Sequence, residues 1–135
     1  MSNSAVRFAV DLTINEGKFD EFTGIAQAML AHTQKEPGAL SYDWYLSADR
    51  KSCRLLETYA DANAVQAHMA GPAVLELVPK LLGVSKVSRF EVYGDPGPKA
   101  AEVLTGFGAQ IFGLWRALER WSACDVLTYR TRRPS

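Results

Sequence analysis

Hydrophobic and polar residues alternate along residues 5–14, AVRFAVDLTI, near the start of the chain. Every second position from Val6 to Ile14 is apolar, whereas Arg7 and Thr13 on the other face are polar. Since successive side chains of a β-strand point to opposite faces, the alternation predicts a strand with one buried face.

The residues between this strand and Pro37 are predicted to form a helix. Acidic side chains near its start suit the positive end of the helix dipole, and the Pro-Gly pair cannot continue it. Its apolar positions recur at steps of three and four, which is typical of a helix that packs one stripe on a core. The stripe consists of Phe19, Phe22, Ala26, Met29 and Thr33.

Three aromatic rings lie close together in the stretch EPGALSYDWY, residues 36–45, directly after the Pro-Gly turn. On a strand over about residues 39–47, Tyr42 and Trp44 point to one face and Tyr45 points to the other. Aromatic side chains on both faces indicate that each face of the sheet is covered, either by protein or by a ligand.

A polar turn then leads into a predicted return strand over residues 53–60, CRLLETYA. Leu55, Glu57 and Tyr59 share one face of this strand. Glu57 therefore lies among apolar neighbours, where a carboxylate must be paired or protonated.

The next segment is predicted to be helical, with one interruption. Asp61 is a suitable N-cap for a short helix that stops at Gly71. Apolar residues at helical spacing predict a second piece, which Pro79 must kink or restart. Residues 84–94, VSKVSRFEVYG, alternate again and predict a fourth strand.

The predicted order is β-α-β-β-α-β, which is the order of the ferredoxin-like α+β fold. In this fold an antiparallel sheet carries both helices on one face and leaves the other face bare. A bare apolar face favours burial against a partner. We therefore expect the second face to pack against another subunit.

Beyond a Pro/Gly linker at residues 94–99, GDPGPK, the chain has its most regular helical pattern. Steps of three and four predict a helix over residues 100–118, and CDVLTYRT at 124–131 could add an edge strand. We expect a ferredoxin-like domain over residues 1–95 and a helical extension over residues 96–135. The helix either docks on its own domain or crosses to the other subunit.

Composition and charge exclude several classes of partner. The 15 basic residues balance 15 acidic ones, so no overall field attracts nucleic acid or an anionic membrane. No stretch reaches the roughly 18 apolar residues of a membrane span. The first residues lack the pattern of a signal peptide, and Cys53 and Cys124 are then expected to be free thiols in the cytoplasm.

Two stretches, HTQKEPGALSYDWYLS and LLETYADANAVQAHMAGPAV, combine a Glu-Pro-Gly turn, a Tyr-rich strand, a Glu on the return strand and a helix with His. This combination resembles the antibiotic biosynthesis monooxygenase family, which includes small quinol monooxygenases, over about residues 5–94. The matching positions are Glu36, Pro37, Gly38, Tyr42, Glu57, Asp61, Ala64 and His68.

The resemblance implies a dimeric α+β barrel, in which two subunits pair their sheets and each keeps a pocket between its sheet and helices. Members oxygenate phenols, quinols or anthrones, often without a cofactor. The family also contains haem-degrading enzymes, an isomerase and proteins without known activity. Haem chemistry is disfavoured here, because the chain lacks the Asn on the first strand and the Trp on the second helix that haem-degrading members share.

The residue types favour chemistry without a bound metal or cofactor. No Gly-rich phosphate loop follows a strand, no Cys/His cluster has zinc spacing, and the two histidines are far apart in sequence. Cofactor-free oxygenation needs an apolar cavity, a base that makes a phenolate or enolate, and access for O2.

His68 is the predicted catalytic base, because imidazole titrates near neutral pH and His68 flanks the apolar Val65 and Met69. Glu57 is its predicted partner. Both could equally be structural, with His68 hydrogen-bonded at the end of its helix. His32 is expected to face solvent.

The predicted substrate-binding residues are aromatic and apolar side chains near this base. They can stack on a planar ring, and equally they can fill the sheet core or a dimer interface. They are Tyr42, Trp44, Tyr59, Val65 and Met69.

Three classes of function are compatible with these features. The first is a cofactor-independent monooxygenase that acts on a small phenol, quinol or anthrone. The second is a non-catalytic ligand-binding or stress-response dimer. The third is an isomerase, or another proton-transfer enzyme, that acts on a small carbonyl compound. Consumption of O2 separates the first class from the other two.

Overall fold

The computed structural model describes residues 4–118, which form a five-stranded sheet with helices packed on its inner face. The strands are β1 (Val6–Ile14), β2 (Ala39–Leu46), β3 (Ser52–Tyr59), β4 (Ser85–Tyr93) and β5 (Gln110–Phe112). The helices are α1 (Phe19–Thr33), α2 (Ala62–Met69), α3 (Val78–Val84) and α4 (Pro98–Gly106), with a π-helical turn at Ala73–Leu77. The predicted α+β class and the β-α-β-β-α-β order are confirmed.

The strands lie in the order β2-β3-β1-β4-β5. The first four pair antiparallel, as in the ferredoxin-like arrangement, and β5 adds at the edge, parallel to β4. Strand β1 is central, and Phe8 lies opposite Glu57 on β3 and Val92 on β4. The helices cover its inner face, which explains why its alternation is so regular.

Helix α1 packs on the sheet through the stripe that the sequence predicts. Four of its five positions are buried, and Phe19 is partly buried at the start of the helix. Helix α2 begins after Asp61, whose side chain accepts a hydrogen bond from the backbone N–H of Ala64. The predicted N-cap is therefore confirmed.

Two prolines shape the connection between α2 and β4. Pro72 precedes the π-helical turn, and Pro79 lies in the first turn of α3. A proline is tolerated in the first turn of a helix, because an N–H group there has no intrahelical partner. Pro79, predicted to kink or restart the helix, lies where the π-helical turn changes to α3.

The helix predicted over residues 100–118 is wrong in its length. Helix α4 ends at Gly106, and Gly108 has a φ of +88°, which glycine adopts without the steric cost of a Cβ. The chain then pairs with β4, and Ile111 lies in β5 instead of a helix. The strand predicted at 124–131 lies outside the described residues.

The outer face of the sheet carries exposed apolar side chains in the single chain. Tyr45, Leu56, Tyr93 and Phe112 are each more than a third exposed, and the rings of Tyr93 and Phe112 stack with centroids 5.4 Å apart. That a second subunit covers this face stays a prediction.

Two absences hold for residues 4–118. None of their helices combines the length and the apolar character that crossing a membrane requires. No group of three or more His, Cys, Asp or Glu side chains in this part of the chain is arranged to hold a metal ion.

Candidate functional site

A cavity of about 140 Å³ lies between the inner face of the sheet and the helices. Its polar lining side chains are Tyr42, Glu57 and His68, and the rest of the wall is apolar. The sheet contributes Phe8 and Phe90, among others, while α1, α2, α3 and α4 each contribute apolar side chains. A few polar groups that converge in an apolar cavity are the usual composition of a small-molecule site.

His68 is 2% exposed and lies between two carboxylates. Its Nδ1 is 2.9 Å from Glu36 Oε1, and its Nε2 is 3.6 Å from Glu57 Oε1. Burial lowers the pKa of His68, whereas the charge of Glu36 and its hydrogen bond to the ring act to raise it. We assign the Nδ1–H as the donor to Glu36, which leaves Nε2 of the neutral ring free to accept a proton.

Glu57 lies on the buried face of β3 and is 5% exposed. The Tyr59 hydroxyl donates a hydrogen bond to Glu57 Oε1. Burial raises the pKa of Glu57 from its ordinary value of 4.5 to about 7; the Tyr59 hydrogen bond opposes this rise, and the charge of Glu36 adds to it. Glu57 can therefore hold or release a proton near neutral pH, close to His68 Nε2.

Two tyrosines flank the imidazole of His68. The ring centroids of Tyr42 and Tyr59 lie 5.6 Å and 5.0 Å from that of His68. Burial, followed by the charge of Glu57, raises the pKa of both phenols above their ordinary range. Both hydroxyls therefore stay protonated near neutral pH, and that of Tyr59 donates its hydrogen bond to Glu57.

Local structure explains how these side chains meet. The period of two on β2 and β3 turns Tyr42 and Glu57 inward, and the strand register places them opposite each other. The cap at Asp61 starts α2 two turns before His68, which falls on the same buried face as Val65. The helical spacing thus aims the imidazole at the sheet.

Four of the residues predicted from the sequence line the same cavity. They are Tyr42, Glu57, His68 and Met69. The structure brings together the predicted base and its predicted partner, which lie 11 positions apart on the consecutive elements β3 and α2. Whether they act in catalysis stays a prediction.

The other three predicted residues lie outside the lining of this cavity. Tyr59 and Val65 are 0% exposed in the core behind it. Trp44 packs edge-on against Phe22 of α1, with ring centroids 6.1 Å apart, and lines a separate depression. Trp44 lies two positions beyond Tyr42 on β2, which moves its ring towards the hairpin end of the sheet.

Glu36 is the site residue that sequence reasoning missed. In the sequence it is notable only as part of the Glu-Pro-Gly turn. In the structure its carboxylate accepts the hydrogen bond from His68 Nδ1, across 32 positions of the chain. The available signal was that Glu36 and His68 both belong to the pattern of one family.

Comparisons with known proteins agree on the fold. A family model described as antibiotic biosynthesis monooxygenase matches residues 6–80. MupZ from Pseudomonas fluorescens is similar in structure, with a TM-score of 0.73 and 24% identity, over 87% of this chain and 96% of MupZ. SnoaB from Streptomyces nogalater, a cofactor-independent oxygenase, has a TM-score of 0.60 and 19% identity, over 70% of this chain and 96% of SnoaB.

A third structure, Rv0793 from Mycobacterium tuberculosis, has a TM-score of 0.60 and 23% identity, over 70% of this chain and 98% of Rv0793. No curated protein matches the chain significantly. At these identities the structural matches show a shared fold and leave the chemistry open.

Proposed function

The chain belongs to the antibiotic biosynthesis monooxygenase family, and from that premise we propose that it is a cofactor-independent monooxygenase that oxidises a small phenol, quinol or anthrone-like compound with O2. The observation that carries the proposal is the buried His68, held between two carboxylates in the wall of an apolar cavity. The likeness to SnoaB, described as a cofactor-independent oxygenase, supports the same class.

The first step is the removal of a proton from the substrate. His68 Nε2 accepts this proton from the hydroxyl group, or from the acidic carbon of an anthrone. Glu36 is a positioning residue, because its hydrogen bond to Nδ1 holds the tautomer in which Nε2 is the acceptor. Its charge also stabilises the imidazolium that forms.

Glu57 and Tyr42 complete the proton chemistry. Glu57, with a pKa of about 7, can exchange a proton with His68 and return the base to its neutral form. Tyr42 lines the cavity as a protonated phenol and can donate a hydrogen bond to the developing substrate oxyanion. An oxyanion that is stabilised in this way forms more readily in an apolar site.

The second step is the reaction of the substrate anion with O2. The anion transfers one electron to O2, and the substrate radical combines with superoxide to form a hydroperoxide after protonation. Loss of water leaves a carbonyl group, so one oxygen atom enters the product and the other enters water. The protein contributes a dry cavity that keeps the radical pair together and excludes solvent.

A proton-transfer enzyme that acts on a small carbonyl compound is the second candidate. One observation favours it, namely that His68 Nε2 lies 3.6 Å from Glu57 Oε1, and burial raises the pKa of Glu57 to about 7. Such a pair can take a proton from one carbon and return it to another. This reaction consumes no O2.

The decisive experiment measures O2 consumption with a panel of hydroquinones and anthrones, with no flavin, haem or metal added. We expect uptake by the wild type and a loss of roughly a hundredfold or more in His68→Ala, which is the usual contribution of a general base. His32→Ala is the matched control, since His32 is half-buried on α1 and outside the cavity lining. Uptake that survives in His68→Ala contradicts the assigned base, and no uptake with any substrate contradicts the oxygenase.

We also propose that the protein works as a homodimer in the cytoplasm. The exposed Tyr45, Leu56, Tyr93 and Phe112 on the outer face of the sheet support self-association. The buried Cys53 is a free thiol, and burial raises its pKa to about 11. A free thiol of this kind is compatible with a reducing compartment.

A further inference from the structure

An apolar groove lies beside the cavity, between α3 and α4. Its volume is about 580 Å³. Four of its large apolar side chains, Leu75, Leu82, Val103 and Phe107, are between 41% and 64% exposed. Large exposed apolar side chains that are grouped in one concave surface mark an interaction site.

The groove and the cavity are adjacent, because five side chains line both of them. These are Met69, Val74, Val78, Leu82 and Phe107. Helix α4 forms part of both walls, since Leu104 lines the cavity and Val103 lines the groove. This helix lies beyond the residues 6–80 that match the family model, so the groove depends on an extension of the chain.

The two volumes set the size of what each part can hold. The cavity, at about 140 Å³, is close to the roughly 150 Å³ of an engineered protein cavity that binds benzene. It therefore accommodates one aromatic ring beside His68. A larger substrate needs further apolar space, and the groove that shares Leu82 and Phe107 with the cavity offers it.

The charges of the site restrict the substrate further. Among the described residues that line the cavity there is no Lys or Arg, while Glu57 lies in the wall and Glu36 lies behind His68. A carboxylate or phosphate on the ring would be desolvated next to these acidic groups without a cation to pair with it. The polar lining residues of the groove are Gln66 and Lys99.

We propose that the substrate is an uncharged phenol or quinol ring that carries an apolar extension, and that this extension lies in the groove between α3 and α4. The identity of the ring rests on the proposed function, whereas the preference for an apolar extension rests on the groove alone. Val103 and Phe107 of the α4 segment are then specificity-determining residues.

The test measures binding and not turnover, so that it is independent of the proposed oxygenase activity. Phenol and 4-alkylphenols with three, five and seven carbons are titrated under nitrogen into the ¹⁵N-labelled full-length protein, and Kd is obtained from chemical shifts. We expect Kd to fall by up to fourfold for each added carbon, the value for about 0.8 kcal/mol per buried methylene.

Val103→Glu places a charge in the groove without touching the cavity lining. We expect this variant to bind phenol with the Kd of the wild type and to lose the increase in affinity with alkyl chain length. Leu30→Glu is the control, because Leu30 is 42% exposed on α1 and lies outside the groove. Leu30→Glu should keep the full increase in affinity with chain length.

Two results would overturn the proposal. One is a wild-type Kd that does not depend on alkyl chain length. The other is a Val103→Glu variant whose affinity still increases with chain length. If a second copy of the chain covers the groove instead, Val103→Glu lowers the molecular mass in solution and chain length has no effect. If alkylphenols bind as expected but no quinol is oxidised, the groove stands and the oxygenase assignment fails.

Discussion

At the scale of single residues, the site depends on where protons reside around His68. Glu36 faces one ring nitrogen and Glu57 faces the other, and both ring nitrogens are shielded from water. Burial lowers the pKa of His68 and raises that of Glu57, because a low dielectric disfavours either charged form. Both shifts therefore favour the neutral forms of the two groups.

The raised pKa of Glu57 makes folding stability depend on pH. The native state keeps Glu57 protonated up to about pH 7, while the unfolded chain releases this proton near 4.5. The native state thus loses stability as the pH rises from 4.5 to about 7, by about 1.4 kcal/mol per pH unit. Glu57→Gln cannot ionise. We therefore expect the free energy of unfolding of this variant, relative to that of the wild type, to be higher at pH 8 than at pH 5 by roughly 3 kcal/mol.

Urea denaturation at the two pH values measures this difference. Glu16→Gln is the control, since Glu16 is exposed and its replacement should leave the difference from wild type the same at both pH values. An equal difference between Glu57→Gln and wild type at pH 5 and pH 8 would show that Glu57 titrates normally.

Part of this site could be predicted from residue types. A lone Glu among apolar strand positions and a His beside an apolar helical stripe identify Glu57 and His68 as unusual. Glu36 could not be identified as their neighbour in the same way, because it follows α1 in a turn where acidic residues are common. Its contact with His68 depends on how that turn packs on α2.

At the scale of elements, the turn between α1 and β2 holds the site together. It carries Glu36, and its Gly38 lies directly against Ala64 in the first turn of α2. A Cβ at position 38 would overlap the Cβ of Ala64, so only glycine lets the turn approach the helix. This close approach helps to bring Glu36 within reach of His68.

We expect Gly38→Ala to destabilise the protein by roughly 1–3 kcal/mol, the usual cost of overpacking. The comparison is Gly24→Ala, because Gly24 lies on the exposed side of α1 and a Cβ there meets nothing within 4 Å. That change should stabilise the helix by about 1 kcal/mol. Thermal unfolding of both variants tests the pair, and a Gly38→Ala protein as stable as Gly24→Ala would contradict the packing.

The segment after α4 shows the limit of periodicity at this scale. Steps of three and four predict a helix through residue 118, yet the chain leaves the helix at Gly106 and pairs with β4. Glycines at 106 and 108 weaken the helix, and the free edge of β4 offers hydrogen bonds to the backbone. A sheet edge is a feature of the folded protein that no local pattern contains.

At the scale of the whole molecule, the outer face of the sheet exposes apolar side chains, and a second subunit is proposed to cover it. Leu56 is 38% exposed near the centre of that face, where β3 pairs with the central β1. Ion pairs between Arg54 and Asp11 and between Arg89 and Glu91 lie among the apolar side chains. Asp11 lies on the central strand β1, so the face combines exposed apolar side chains with ion pairs near its centre.

We expect light scattering to give the wild type a mass of twice the 14.9 kDa of one chain. Leu56→Glu should shift the protein towards the monomer, because a carboxylate would have to be buried without a partner. Leu30→Glu, on the helical side, should leave the mass unchanged. A monomeric wild type, or a Leu56→Glu variant of unchanged mass, would contradict the proposed dimer.

The sequence by itself determined the elements from β1 to β4, because these follow from local side-chain periodicity and from turn residues, and its motifs carried the resemblance to the family. The alternation of β1, the stripe of α1 and the cap at Asp61 each involve neighbours within a few positions of one another. Tertiary structure alone decided that Glu36 contacts His68, that Trp44 leaves the cavity lining, and that the chain after α4 becomes an edge strand. Each of these outcomes depends on groups far apart in the chain, whose packing and hydrogen bonding exist only once the sheet and helices are assembled.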